Sequence, residues 1–301
     1  MRVRRWIRVL GLLGVALILA GFVVGRWTRV RWVAVPAPVA EPVRIAVLGD
    51  FHLVDEASLR HARACLETAM AQQPDMILLV GDYVHTHLGL PYLRRALQGI
   101  RAPLGAYAVL GNHDHWSGKD AVMRALQESG VIVLGETNRT VRKGDTRLTL
   151  VGVYDLWYHT PCWERAFRGV PAKPDHPVIL LSHNPDAVLS PYRDRTTLIV
   201  SGHTHAGQVW APTTAHRVMQ QLFGRSYIPK TRYGTAHPYG LYQEGETYIY
   251  ITSGVTHGRA VPRWYTRPEV SLIELIPEPC DGMRARRGQV AVSAVGGSCQ
   301  P

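Results

Sequence analysis

A layered α/β domain built on mixed β-sheets is the fold class that the sequence predicts, and three observations carry it. Short apolar runs recur along the chain, each closing on a tight polar turn. Segments of helical length separate the early runs, whereas the late ones are joined as hairpins. Nothing repeats over the 301 residues, which suit a single catalytic-sized domain.

Residues 9–25 come first: 17 uncharged positions, the lower limit for crossing a hydrocarbon core of about 30 Å as a helix. Trp6, Trp27 and Trp32 stand at its ends as interfacial anchors would. A cleaved signal peptide needs small residues just after the apolar stretch, and arginine and tryptophan follow instead, so an uncleaved single-pass anchor over 1–34 is expected. Four arginines precede the helix and three follow it, so the positive-inside rule has no asymmetry to act on and the side of the membrane stays open. The prolines at 36, 38 and 42 mark residues 35–42 as an extended linker.

The domain is then expected over 43–277. Residues 43–49 read as a buried strand delivering Asp50 and His52, and 57–72 as a helix. Strands at 76–80 and 107–110 lead to Asp82 and to Asn112, with a helix over 120–129. Residues 140–153 read as a hairpin turning at Gly144, followed by strands at 178–181 and 198–201, a hairpin over 240–252 turning at Gly245, and a last strand at 270–275. Residues 278–301 lack periodicity and read as a disordered tail.

Composition narrows the function classes. The net charge of +11 is concentrated at the start, where residues 1–40 carry seven arginines and no acid. The remainder, 27 basic against 23 acidic residues, offers little support for a nuclease groove. Thirty arginines against four lysines match a GC-rich bacterial codon bias. Cys65, Cys162, Cys280 and Cys299 form no CxxC pair, which removes zinc-ribbon and thioredoxin chemistry; a bridge between Cys280 and Cys299 would require export.

Five segments share one grammar, an apolar strand followed by a turn bearing Asp, Asn or His. In α/β sheets such strand ends converge on one crevice, bringing together Asp50, His52, Asp82, Asn112, His113, His183, His203 and His205. Carboxylate, amide and imidazole without thiolate suit Mn, Fe, Zn, Ni or Mg. One metal takes three or four protein ligands, so seven with a central aspartate suit two divalent ions. An extended His-x-His turn would let His203 and His205 each reach a different ion, with Gly202 and Gly207 easing the turn.

GDFH at 49–52, GD at 81–82, GNHD at 111–114, His183 and GHTH at 202–205 together resemble the ordered signature of calcineurin-like metallophosphoesterases, across 43–277. The resemblance implies a four-layer αββα sandwich of two mixed sheets flanked by helices. It also implies Asp50, His52 and His205 on one metal, Asn112, His183 and His203 on the other, and Asp82 bridging them. His113 then matches the family's phosphate-facing histidine, with Asp114 orienting its ring.

Within the family, GHTHAGQ at 202–208, SHNP at 182–185 and the segment 254–274 are similar to a membrane-associated branch that includes bacterial phosphodiesterases and UDP-2,3-diacylglucosamine hydrolases of lipid A synthesis. The implied reaction is hydrolysis of a phosphodiester or pyrophosphate by a metal-bound hydroxide at the bacterial inner membrane, with a lipid-linked nucleotide as a candidate substrate. A protein phosphatase would carry Asp-Arg-Gly after Gly81, which is missing. The alternatives are a metal-stabilised binding scaffold without turnover, against which His113 argues, and a phosphomonoesterase or nuclease of the same fold.

Outside the motifs, His85, His87, His115, His159 and His257 have no partner and are expected to be structural, although His115 or Trp116 lies close enough in sequence for substrate contact. Ordinary packing is the expected role of the aromatic loops 154–163 and 222–242; rimming the pocket or entering the headgroup region is the alternative.

Overall fold

The computed structural model describes residues 2–24, 27–207, 231–256, 263 and 266–278. Two six-stranded mixed sheets pack face to face. The first has the order β1-β12-β2-β3-β4-β5, from Arg29–Ala37 (β1), Glu269–Pro277 (β12), Val43–Leu48 (β2), Met76–Leu79 (β3), Ala106–Ala108 (β4) and Ile132–Val133 (β5). The second has the order β10-β11-β9-β8-β7-β6, from Gly240–Glu244 (β10), Thr247–Ile251 (β11), Leu198–Ser201 (β9), Val178–Leu181 (β8), Thr146–Gly152 (β7) and Thr137–Lys143 (β6).

Strand periodicity decides which core each side chain joins. Val43, Ile45 and Val47 of β2 point into the layer between the sheets, whereas Ala46 and Leu48 meet the helices on the outer face. Those helices are α2 (Glu56–Ala71), α3 (Leu90–Leu97) and α5 (Lys119–Glu128). A third cluster, with Val151, Leu180 and Ile249, packs the far face of the second sheet against α6 (Trp163–Ala166) and α7 (Arg232–Ala236). Helix α2 starts on a reciprocal cap in which Asp55 Oδ1 accepts from the Ser58 amide at 2.8 Å and Ser58 Oγ accepts from the Asp55 amide at 3.0 Å. Both expected hairpins form with two-residue loops, Gly144 and Gly245 supplying the left-handed backbone at φ 49° and 64°. The sequence analysis names no helix over 90–97; Pro91 lies in the first turn of α3, where it removes no internal hydrogen bond.

The linker expected at 35–42 is corrected. Residues 35–37 lie in β1, as do residues 29–34 of the expected anchor, paired in parallel with β12 from Arg29↔Glu269 to Ala37↔Pro277, so the folded body starts before Val43. Proline is tolerated because β1 is an edge strand that needs only one ladder, and Val35 and Ala37 are fully buried between the sheets.

The apolar N-terminal segment forms α1 (Arg2–Val24) and leaves large side chains such as Leu10, Leu12, Leu13, Val15 and Leu19 exposed. Among the described residues no helix is long and apolar enough to cross a membrane; the side chains at 18, 21, 22 and 24 lie outside the description. The tail from 279 on, with Cys280 and Cys299, and positions 208–230 and 257 also lie outside it. Cys65 and Cys162 are free thiols.

Candidate metal centre

Strands β2, β3, β4 and β5 run parallel in one sheet and β7, β8, β9 and β11 in the other, so each sheet gathers its C-terminal ends on one side. Asp50 and His52 leave β2, Asp82 leaves β3, and Asn112 and His113 open α4 (Asn112–Trp116) after β4. His183 follows β8; His203 and His205 follow β9. All seven expected ligands are buried, each at most 3% exposed.

The backbone is bent hard to bring them together. Asp50, His52, Asp82, His203 and His205 have φ between 46° and 71°, a left-handed region that a Cβ penalises by about 1–3 kcal/mol each and that collects at functional sites. Cross-links over-determine this geometry: the Asp50 amide donates to the Gly81 carbonyl at 2.9 Å, the His52 amide to the Asp82 carbonyl at 3.0 Å, and the His203 amide to Asp50 Oδ1 at 3.2 Å. The extended turn expected for His-x-His is therefore replaced by two left-handed residues running into a 3₁₀ turn. Gly202 serves close approach, since a Cβ there would stand 2.6 Å from Asp50 Oδ2. Gly207, at φ 79°, is the residue that needs its conformational freedom.

Among the described residues three groups of ligating atoms result: two share Asp82, and a third, of His52, His85 and His113, adjoins the first of these through His52. Asp50, His52, Asp82 and His205 form the first; Asp82, His183 and His203 form the second. In the first, His52 Nε2 lies 3.0 Å from His205 Nε2 and 3.6 Å from Asp82 Oδ2, and His205 Nε2 lies 3.2 Å from Asp50 Oδ1. In the second, His183 Nε2 is 3.2 Å from Asp82 Oδ2 and 3.1 Å from His203 Nδ1. Asn112, buried beside them, leaves its Oδ1 without a hydrogen-bond partner.

These residues fit divalent cations. Imidazole nitrogens 3.0–3.1 Å apart cannot both present lone pairs to each other without a proton or a cation between them. His183 donates from Nδ1 to the Val80 carbonyl at 2.7 Å, which fixes the tautomer that turns the Nε2 lone pair inward, the usual support for a metal-bound imidazole.

Protonation directions agree with a site that wants positive charge. Burial drives His52 well below its ordinary range and His203 down to about 3, keeping both neutral. Burial opposes charge at Asp82 too, but His183 and His52 outweigh it and hold the carboxyl well below its usual range. At His183 the same opposition from burial is overcome by Asp82, which holds the imidazole well above its ordinary range. Asp50 is held at about 2 by His205, against its burial.

His113 sits at the edge of the first group, its ring edge-on to His52 at 4.7 Å. Its expected orientation by Asp114 is corrected: His113 Nδ1 faces the His85 carbonyl at 2.9 Å. Asp114 instead accepts from the backbone amides of Asp82, Tyr83 and Gly111 at 2.8–2.9 Å, because a carboxylate in the first turn of α4 turns back toward the open N–H groups of the turn before it. Burial, with Asp82 adding to it, pushes the Asp114 carboxyl up to about 8, and those amides pull the other way.

Sequence reasoning missed His85. Its Nδ1 lies 3.3 Å from His52 Nδ1, its ring stacks on His113 at 4.7 Å, and its carbonyl fixes the His113 tautomer. Its position three residues after Asp82 was the available signal. Trp157, from a loop expected to pack ordinarily, stands edge-on to His203 at 5.3 Å, and Trp116 contacts His113 at 4.9 Å. His115 stacks on Tyr158 and His159 reaches Glu136, both apart from the two ligating groups. His87 lies in a short 3₁₀ turn. A surface recess lined by Arg94, Leu97 and Glu128 lies in the outer helical layer and includes none of the site residues.

Comparison with known proteins gives a concordant result. The profile described as calcineurin-like phosphoesterase matches residues 43–207. The uncharacterized metallophosphoesterase YkuE of Bacillus subtilis is 29% identical over 241 residues, covering 77% of this chain and 78% of its own length. Phosphodiesterase YaeI of Escherichia coli is 30% identical over 247 residues, covering 79% of this chain and 83% of its own. A transmembrane protein with metallophosphoesterase domain from Bos taurus is 29% identical over 262 residues, covering 80% of this chain and 55% of its own.

Proposed function

The chain belongs to the calcineurin-like phosphoesterase family and is a metal-dependent phosphoester hydrolase with divalent cations as its cofactors; on that premise we propose that it cleaves phosphodiester or pyrophosphate bonds at the two groups joined by Asp82. The observation that carries this reading is the sharing itself: one buried carboxylate faces both ligating groups, with His52 and His183 on either side of Oδ2.

Asp50, His52 and His205 would hold one ion, Asn112, His183 and His203 the other, and Asp82 both. When bound, such a pair supplies an acidified water and neutralises phosphate oxygens. The protein's own part is positioning. The Asp82 carboxylate also accepts the His113 amide at 2.9 Å, so the residue shared by both groups sets the start of α4. With Nδ1 donating to the His85 carbonyl, His113 can present an Nε2 proton to a phosphate or leaving-group oxygen only as an imidazolium, in which form it would act as proton donor or hydrogen-bond donor. The rings of His52, His85 and Trp116 pack against His113 and limit its rotation.

Helix α1 would attach the enzyme to a membrane. Its 23 residues extend roughly 35 Å, and its apolar side chains are exposed around the helix, a surface that water does not stabilise. A bovine relative named as a transmembrane protein is consistent with attachment. A lipid-linked nucleotide is one substrate such attachment would suit.

The test is metal analysis together with hydrolysis of bis(p-nitrophenyl) phosphate, p-nitrophenyl phosphate and UDP-2,3-diacylglucosamine, with Asp82→Ala as the comparison. Wild-type protein is expected to hold metal and turn over a diester, and Asp82→Ala to lose both. Turnover indifferent to chelation and to Asp82→Ala would end the proposal.

A further inference from the structure

We infer that the end of the domain carrying the metal centre docks on a lipid bilayer, so that the phosphoester it receives is carried by a lipid at that surface. This rests on the hydrolase reading and on α1 as a membrane attachment, and adds an orientation that neither contains.

The first support is topological. Strand β1 runs parallel to β12, and β12 runs antiparallel to β2, so the first residue of β1 lies level with the last residues of β2. The contacts agree: the Arg29 amide donates to the Pro268 carbonyl, the Glu269 amide to the Gly254 carbonyl, and Gly254 packs so close to Asp50 that an added Cβ would meet Asp50 Cβ at 2.6 Å. The chain therefore leaves α1 and joins the domain at the end where the ligands gather. Only one strand separates β1 from β2, a lateral distance of roughly 10 Å. Thr28 Oγ1, 3.6 Å from Cys65 Sγ, fixes the junction, and four residues of chain from Val24 can reach no farther than about 14 Å. If α1 lies in a membrane, this end of the domain cannot be far from it.

The second support is where apolar surface remains. Among the described residues outside α1, Trp27, Leu88, Trp116, Trp157, Tyr158 and Tyr239 are large side chains 38–65% exposed, and each sits on a segment at the ligand-bearing end of the sheets. Val30 and Trp32 on β1 and Leu189 are the other exposed ones. Exposed indole and phenol rings around a polar centre match the composition of the membrane interface. Charge is complementary as well: residues 1–40 carry seven arginines and no acid, and although Arg29 and Arg31 engage Glu269, the excess of basic residues in this stretch favours anionic headgroups.

The experiment uses the full chain with vesicles of phosphatidylcholine and phosphatidylglycerol, the former brominated to quench tryptophan emission. Docking predicts that the quenched emission of the wild type falls when Trp116 and Trp157 are both replaced by phenylalanine. Quenching that is unchanged in the double variant would come from the six other tryptophans, Trp6, Trp27 and Trp32 around α1 among them, and would overturn the inference while leaving attachment by α1 intact. A second arm compares phosphatidyl-p-nitrophenol in vesicles with soluble bis(p-nitrophenyl) phosphate. Leu88→Glu is expected to lower the ratio of the vesicle rate to the soluble rate by about tenfold, the loss of one buried leucine. An unchanged ratio counts against docking. Failure of the wild type on both substrates would instead count against the hydrolase reading, and the quenching result stands independently of it.

Discussion

Gly111→Ala tests the shared carboxylate without touching it. At φ −99° residue 111 has a backbone that alanine adopts freely, so the whole effect is steric. The new Cβ would lie 2.6 Å from the Asp82 amide nitrogen and 2.8 Å from Asp82 Cγ, against an ordinary contact distance of 3.4 Å. Asp82 must retreat by about 0.8 Å, a displacement of the size that costs roughly 100-fold in a positioned site. Overpacking adds about 1–3 kcal/mol of destabilisation. Both groups meet at Asp82, so metal content should fall in both. Gly169→Ala is the comparison: φ is 78° with nothing within 4 Å, so it should cost about 1–2 kcal/mol through the backbone alone and leave metal content and rate intact. Elemental analysis, diester hydrolysis and thermal melts on the two variants separate the effects. A Gly111→Ala protein with full metal content and wild-type turnover would refute the role given to Asp82.

Two more outcomes follow from the neighbours of the centre. His85→Ala removes the partner at the outer nitrogen of His52 and should weaken metal binding about 10- to 100-fold, read by competition with a chelating dye; unchanged affinity would make His85 packing only. Asp155, fully buried, is pushed up to about 6 by burial, with nearby Asp82 adding to the rise. Its folded-state value lies above the unfolded one, so the folded protein binds the extra proton between about pH 4 and 6 and stability falls as pH rises through that window. In chelator-treated protein, wild type should lose up to about 3 kcal/mol across it relative to Asp155→Asn, measured by urea melts; parallel pH profiles would show that Asp155 does not titrate there.

Much of the fold was legible because strands buried on both faces are written as unbroken apolar runs. Met76–Leu79, Val178–Leu181 and Leu198–Ser201 are short, wholly apolar or nearly so, and end where polar turns begin. Both hairpins were legible from a glycine between alternating segments. The edge strand β1 was not: Pro36, with Pro38 and Pro42 just beyond the strand, suggests a linker, and its pairing depends on β12, some 240 positions later, which no local pattern specifies. Helix α1 was legible as an apolar segment; its surroundings were not.

At the centre, the residue types and their order along the chain were set by sequence, since carboxylate, amide and imidazole after successive strands have few other uses together. Tertiary structure alone decided how they meet. Five of these residues lie at positive φ, a conformation their side chains disfavour and only cross-strand hydrogen bonds sustain. The Asp114 carboxylate was drawn to backbone amides instead of an imidazole, and His85, unremarkable in sequence, came to rest against His52. Covalent order fixes which groups a strand delivers to its end; the distances between groups from different strands exist only once the two sheets are packed.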